Sequence, residues 1–240
     1  MLVEVCTNSL ESAINAEKGG ADRIELCSEL GVGGITPSFG LIESVLQRIS
    51  IPVHVLIRPR SGNFTYSEME FEVMLKDIEK SKELGAAGIV TGVLDENREI
   101  DLIKTSALYQ ASGKLHFTFH RAFDWLKDQT ESFKKLQKLG VDAILTSGGK
   151  NNVDQGFNTL KKLNQIAENC QIMPGGGVNL QNIKKFKTAD FKAIHFSASK
   201  FVETTNYEIP VSMNSEKFLQ EKMKTLSDVR IIEEMVQMLK

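Results

Sequence analysis

Short β-branched runs alternate with longer amphipathic segments along the whole chain, and this alternation constrains the fold more than any other feature. It is the pattern of parallel strands joined by helical crossovers. Eight runs read as strands: Leu2 to Cys6, Arg23 to Cys27, Val53 to Arg58, Gly88 to Thr91, Leu115 to His120, Ala143 to Ser147, Gln171 to Met173 and Ala193 to Ser197. Between them lie helical patterns, among them one that opens on Ser67 with Glu70 three residues later, a capping box. Gly20-Ala21-Asp22-Arg23-Ile24, Gly85-Ala86-Ala87-Gly88-Ile89 and Gly140-Val141-Asp142-Ala143-Ile144 repeat one helix-ending turn before strands two, four and six. Ala189 to Ile194 is a looser copy before strand eight. No order-reversing break divides the series, which favours a closed (β/α)8 barrel, the TIM barrel of the α/β class, over an open doubly wound sheet.

The 240 residues suit one such barrel as a single domain over residues 1–240. The amphipathic stretch from about 216 to 239, with Phe218, Leu226, Val229, Ile232 and Val236 on its apolar side, is predicted to be the final outer helix. A formal net charge of −2 gives no basic footprint for nucleic acid. No apolar run approaches the ~18 residues of a membrane span, and the N-terminus alternates like a strand rather than a leader. Three cysteines, an odd number, fit reduced thiols, so the expected location is cytoplasmic.

Strand parity sorts the side chains. Alternate residues of a barrel strand face the helices or the interior. Sending Val3 and Val5, Ile24 and Leu26, Val53, Val55 and Ile57, Phe117 and Phe119, and Ile194 and Phe196 outward leaves a polar set inward. That set is Glu4, Cys6, Arg23, Glu25, Cys27, His54, Arg58, His116, Thr118, His120, His195 and Ser197. A barrel interior is ordinarily filled by branched apolar side chains, so this set marks the carboxyl-terminal mouth as a candidate site. Internal salt bridges, such as Glu4 or Glu25 with Arg58, are the competing reading.

Within the set, Glu4, Glu25, Arg58, His120, Asp124 and His195 are candidates for proton transfer and substrate positioning. Asp124 either orients His120 as a general base or caps the following helix. Arg58 and Arg60 flank Pro59 and suit bidentate capture of an anion. Ser147-Gly148-Gly149, Gly175-Gly176-Gly177 and Ser197 follow strands six to eight, where barrel enzymes hold phosphate. Tight turns requiring positive φ are the alternative for the glycines. Cys6 and Cys27 end adjacent strands with matching parity, so their sulfurs should meet. A thiol pair suits Cu(I), with Zn(II) a poorer match, or else two inert core thiols. Cys170 lies at the opposite end and reads as packing.

At these residues the sequence resembles the CutC family of copper homeostasis proteins. The resemblance rests on Glu4-Val5-Cys6, Gly19 to Cys27, Gly33 to Ser38, Pro52 to Arg60, Phe71-Glu72-Val73-Met74, Phe119 to Asp124 and Leu145 to Gly149, in family order over about residues 1 to 205. It implies a cytoplasmic TIM barrel, a homo-oligomer (dimer or tetramer), with copper bound by Cys6 and Cys27. The residues also allow a different protein: an enzyme of lyase, isomerase or epimerase type, acting on a small anionic or phosphorylated metabolite, with or without a divalent metal.

Overall fold

The computed structural model describes residues 1–211, 213 and 221–240. Eight parallel strands form one sheet: β1 (Leu2–Thr7), β2 (Arg23–Leu26), β3 (Val53–Leu56), β4 (Gly88–Thr91), β5 (His116–Phe119), β6 (Ala143–Thr146), β7 (Gln171–Pro174) and β8 (Ala193–Phe196). Hydrogen-bonded ladders run without interruption from β7 back through β1 to β8, and β7 packs beside β8 to bring the sheet round into a nearly closed barrel. Seven crossover helices follow the first seven strands: α1 (Leu10–Lys18), α2 (Phe39–Leu46), α3 (Glu68–Leu84), α4 (Leu102–Ser112), α5 (Gln129–Leu139), α6 (Phe157–Gln165) and α7 (Ile183–Thr188). The TIM barrel expected from the alternation is the fold observed.

The helix signals act where the sequence puts them. The Ser67 and Glu70 capping box opens α3, and Gly85 and Gly140 end α3 and α5 in the left-handed region. Before β8 the same turn is made by Asp190, at φ 56°, one of the residue types that tolerate that region. Apolar side chains on the outer strand faces, including Val3, Ile24, Val55, Ile89, Phe117 and Ile194, pack with the helices into the main core.

After β8 the structure departs from expectation. Residues 216–220 of the predicted last helix lie outside the described residues. Farther on, β10 (Met223–Ser227) pairs antiparallel with β9 (Ser199–Glu203), and the helix α8 is confined to Val229–Leu239. Asp228 caps it, accepting hydrogen bonds from the Arg230 and Ile231 N–H groups. This short helix completes the outer ring between α7 and α1.

Register explains the barrel interior. Glu4 lies opposite Arg23 on β2 and His195 on β8, while Cys6 lies opposite Glu25, Glu25 opposite His54, and His54 opposite Gly88. Gly88 is also opposite His116. A Cβ on Gly88 would fall 2.6 Å from the His54 ring, so glycine there lets the His54 and His116 rings approach to 4.8 Å between centroids.

Candidate functional site

The polar interior divides into a sealed lower layer and an open upper one. In the lower layer the Glu4 carboxylate, fully buried, accepts from Arg23 Nε at 2.5 Å and His195 Nδ1 at 2.8 Å, with His54 Nδ1 at 3.8 Å. Burial alone would raise the Glu4 pKa. The His195 hydrogen bond and the charges of Arg23 and His195 outweigh it and hold the carboxyl well below the usual range. His195 responds in the opposite sense: burial disfavours its charge, but Glu25 and Glu4 outweigh it and raise its pKa. Arg23 reaches onward to His116 Nε2 at 3.4 Å and Met173 Sδ at 3.6 Å. His54 is pushed down to about 3, by burial first and then by Arg23 and His116, and is a neutral ring.

Above this layer opens a cavity of about 310 Å³, lined by Cys6, Glu25, Arg58, His120, Arg121 and His195 together with apolar and glycine residues of the loops. On its floor Cys6 Sγ lies 3.7 Å from Cys27 Sγ and donates to Glu25 Oε1 at 3.3 Å. The contact with Cys27, reinforced by burial, raises the Cys6 pKa well above that of an ordinary thiol. Burial also raises that of Glu25, whose Oε2 has no partner among the described residues. Ligand atoms of Cys6, Glu25 and His195 lie within 4.8 Å of one another, a grouping able to hold a metal ion. Cys170, the third free thiol, is buried away from this cavity, as expected of a packing residue.

These motifs and this geometry match known proteins. The model of the CutC family matches residues 1–200. The chain belongs to the CutC family. Relatives of that name include one from Proteus mirabilis, 42% identical over 91% of this chain and 88% of that protein, and one from Photorhabdus laumondii, 39% identical over 99% and 96%. The solved structure of CutC from Streptococcus agalactiae, which carries the name copper homeostasis protein, superposes with a TM-score of 0.78 at 35% identity, over 82% of this chain and 98% of that one. A thiamine phosphate pyrophosphorylase from Pyrococcus furiosus, at 14% identity and a TM-score of 0.61 over 99% of this chain and 95% of that one, shares the fold alone. The family match ends near β9, so the β9–β10 arm and α8 lie beyond it.

Three of the candidate catalytic and anion-binding residues are engaged by partners within the chain. Arg58 is buried, but its Nη1 donates to the Val32 and Gly34 carbonyls and its Nη2 to that of Gly62, so it staples two rim loops together. It meets neither Glu4 nor Glu25. Arg60 is outside the cavity, paired with Glu70 Oε1 at 2.5 Å and with the carbonyls of Ser61, Asn63 and Thr65. Asp124 neither orients His120 nor caps α5, whose cap is Asp128. It accepts from Thr146 Oγ1, the Ser147 N–H and Oγ, the Gly149 N–H and Arg121 Nε, all within 3.1 Å. The loop Ser147-Gly148-Gly149 is thus an anion cradle whose anion is the chain's own Asp124.

Other expected residues do line the mouth. Gly176, Gly177 and Ser197 border the cavity, while Gly175 sits beneath them against Leu145 and His195. Neither glycine run opens a helix, since α6 and α7 begin several residues later. His120 Nδ1 accepts from the Ala122 N–H at 3.2 Å, and burial followed by the Arg58 charge pushes its pKa down to about 3. Several lining residues were not among the expected site residues, Phe64 and Arg121 being the two that bear on its chemistry. Phe64 stacks beside His120 at 5.0 Å, and Arg121 reaches Ser147 Oγ. Arg121 was signalled by its place beside His120; Phe64, in a loop after β3, carried no signal.

Proposed function

We propose that this protein acts in copper homeostasis by binding Cu(I) at the Cys6–Cys27 pair in the barrel mouth. The observation that carries the reading is the 3.7 Å separation of the two sulfurs. That is close to the spacing of two thiolates each ~2.3 Å from a shared ion in tetrahedral geometry, and thiolates are the ligands that favour Cu(I). The surroundings fit the charge. Two thiolates and one Cu(I) sum to one negative charge, and Glu25 and Glu4 raise the pKa of the neighbouring His195 in the direction that offsets it.

The family name of the relatives supports the copper role, and the free thiols suit a reducing cytoplasm as its location. No helix among the described residues is long and apolar enough to cross a membrane. Anaerobic Cu(I) titration against a competing chelator tests the reading. The wild-type protein should hold one Cu(I) with sulfur ligation visible by X-ray absorption, and the Cys6→Ser/Cys27→Ser protein should lose it. Equal affinity in the two proteins overturns the assignment.

A further inference from the structure

We infer that the same mouth binds a small phosphate monoester, with its phosphoryl group against Gly176, Gly177 and Arg121 and its organic part toward His120. The donors are fixed in place and uncommitted. Gly176 and Gly177 line the cavity at φ 101° and 86°, and their N–H groups have no partner among the described residues. A side chain at Gly176 would be strained by that backbone conformation and would crowd Arg121, since a Cβ would lie 3.0 Å from its Cζ.

The Arg121 guanidinium therefore lies against the bare backbone of the loop after β7. Its Nε is pinned by Asp124 at 2.8 Å and its Nη2 by Ser147 Oγ at 2.9 Å, which leaves Nη1 free among the described residues. Asp124 fills the rival cradle after β6 and, in doing so, orients the arginine that serves the cradle after β7. Ser197 also lines the cavity, and its hydroxyl, 3.0 Å from that of Ser199, can supply a further donor. Two N–H groups, one guanidinium nitrogen and a hydroxyl are enough to give each of the three oxygens of a phosphoryl group at least one donor.

The second half of the site is His120, 4% exposed, whose Nε2 has no partner among the described residues. Its Nδ1 accepts the Ala122 N–H and the ring is neutral, so Nε2 carries the proton. His120 lines a cavity that also has Leu30, Leu56 and Phe64 on its walls, and its neutral, unpartnered N–H suits a hydroxyl or carbonyl oxygen on a short carbon skeleton. The volume of about 310 Å³ lies at the small end of metabolite sites. Glu25 is the one carboxylate among the lining residues, against the guanidinium groups of Arg58 and Arg121, so the mouth favours an anion.

The test is titration calorimetry on the full-length, metal-free protein at constant ionic strength, with glycerol 3-phosphate, inorganic phosphate and glycerol as probes. The expected result is saturable one-site binding of both phosphates, tighter for the ester, and none of glycerol. Arg121→Gln should weaken both phosphates at least tenfold. His120→Phe should weaken the ester severalfold and leave inorganic phosphate unchanged. As a readout that needs no variant, the Gly176 and Gly177 amide resonances of the wild-type protein should shift on adding glycerol 3-phosphate. The Cys6→Ser/Cys27→Ser protein should retain phosphate binding, which separates this site from the copper reading. Absence of saturable phosphate binding overturns the proposal, as does unchanged affinity in folded Arg121→Gln, static glycine amides, or binding of inorganic phosphate without the ester.

Discussion

His195 donates from Nδ1 to Glu4 Oε1 across the β1–β8 pairing, while Arg23 holds the other carboxylate oxygen from β2. One buried anion thus ties together three strands. Glu4→Gln would leave a buried guanidinium and the buried His195 ring facing an amide. Removing one partner of a buried ion pair costs about 3–5 kcal/mol. Urea denaturation of Glu4→Gln should show a loss of that size with an unchanged m-value, whereas a loss under about 1 kcal/mol would mean the network contributes little.

Acid should destabilise the protein earlier than its carboxylates alone would require. His54 and His120 are both pushed to about 3 in the folded chain from an ordinary 6.5. Between those values the unfolded chain binds protons that the folded chain refuses, so stability rises with pH. Each ring contributes fully above pH 6.5 and loses its contribution as pH falls toward 3, with a slope of up to about 1.4 kcal/mol per pH unit. His195 has the opposite sign, its pKa being raised, and its contribution is lost as pH climbs past the folded value. Unfolding midpoints measured from pH 4 to 7 should flatten by one proton's slope in His54→Phe.

The barrel and the inward polar set are legible in the sequence because strand alternation fixes the face of every side chain. Alternation does not fix height. Register decides that Glu4 meets Arg23 rather than Arg58, and register follows from the stagger of the whole closed sheet. Arg58 lies two residues past the end of β3, where the period-two rule lapses and loop carbonyls compete for it. The glycine loop after β6 carries a real anion-binding signal, but its anion, Asp124, arrives from the preceding β5 connection, a tertiary contact that no local pattern reports. At the C-terminus, Asp228 before Val229 is a helix-capping signal, and β10 escapes local reading because its partner β9 lies across an intervening segment.

The Asp124 hub should behave as a single unit. Asp124→Asn replaces an all-acceptor carboxylate with a group that offers N–H to a ring of donors, so at least one contact becomes donor against donor. Hydrogen bonds to charged groups contribute about 1.5–3 kcal/mol each. A stability loss of about 2–3 kcal/mol is expected, along with faster amide exchange at Ser147 and Gly149. Unchanged exchange at those two amides would show that the loop holds its shape without the carboxylate.

Two glycine substitutions should differ in sign. Gly40 lies in α2 with nothing within 4 Å of a built Cβ, so Gly40→Ala should stabilise by about 0.5–1 kcal/mol through helix propensity alone. Gly92 follows β4 beneath the cavity, and a Cβ there would fall 2.6 Å from His120 Nδ1 and 3.1 Å from the Phe119 ring. Neither ring yields easily, because Phe119 is fully buried and His120 is fixed by the Ala122 N–H and packed on Phe64. Overpacking of this kind costs about 1–3 kcal/mol, and the His120 ring must shift to relieve it. Gly92→Ala should therefore lower both the melting temperature and the affinity for glycerol 3-phosphate while sparing inorganic phosphate. If it loses stability yet binds the ester as the wild-type protein does, the ring has moved without consequence and His120 has no part in holding the ligand.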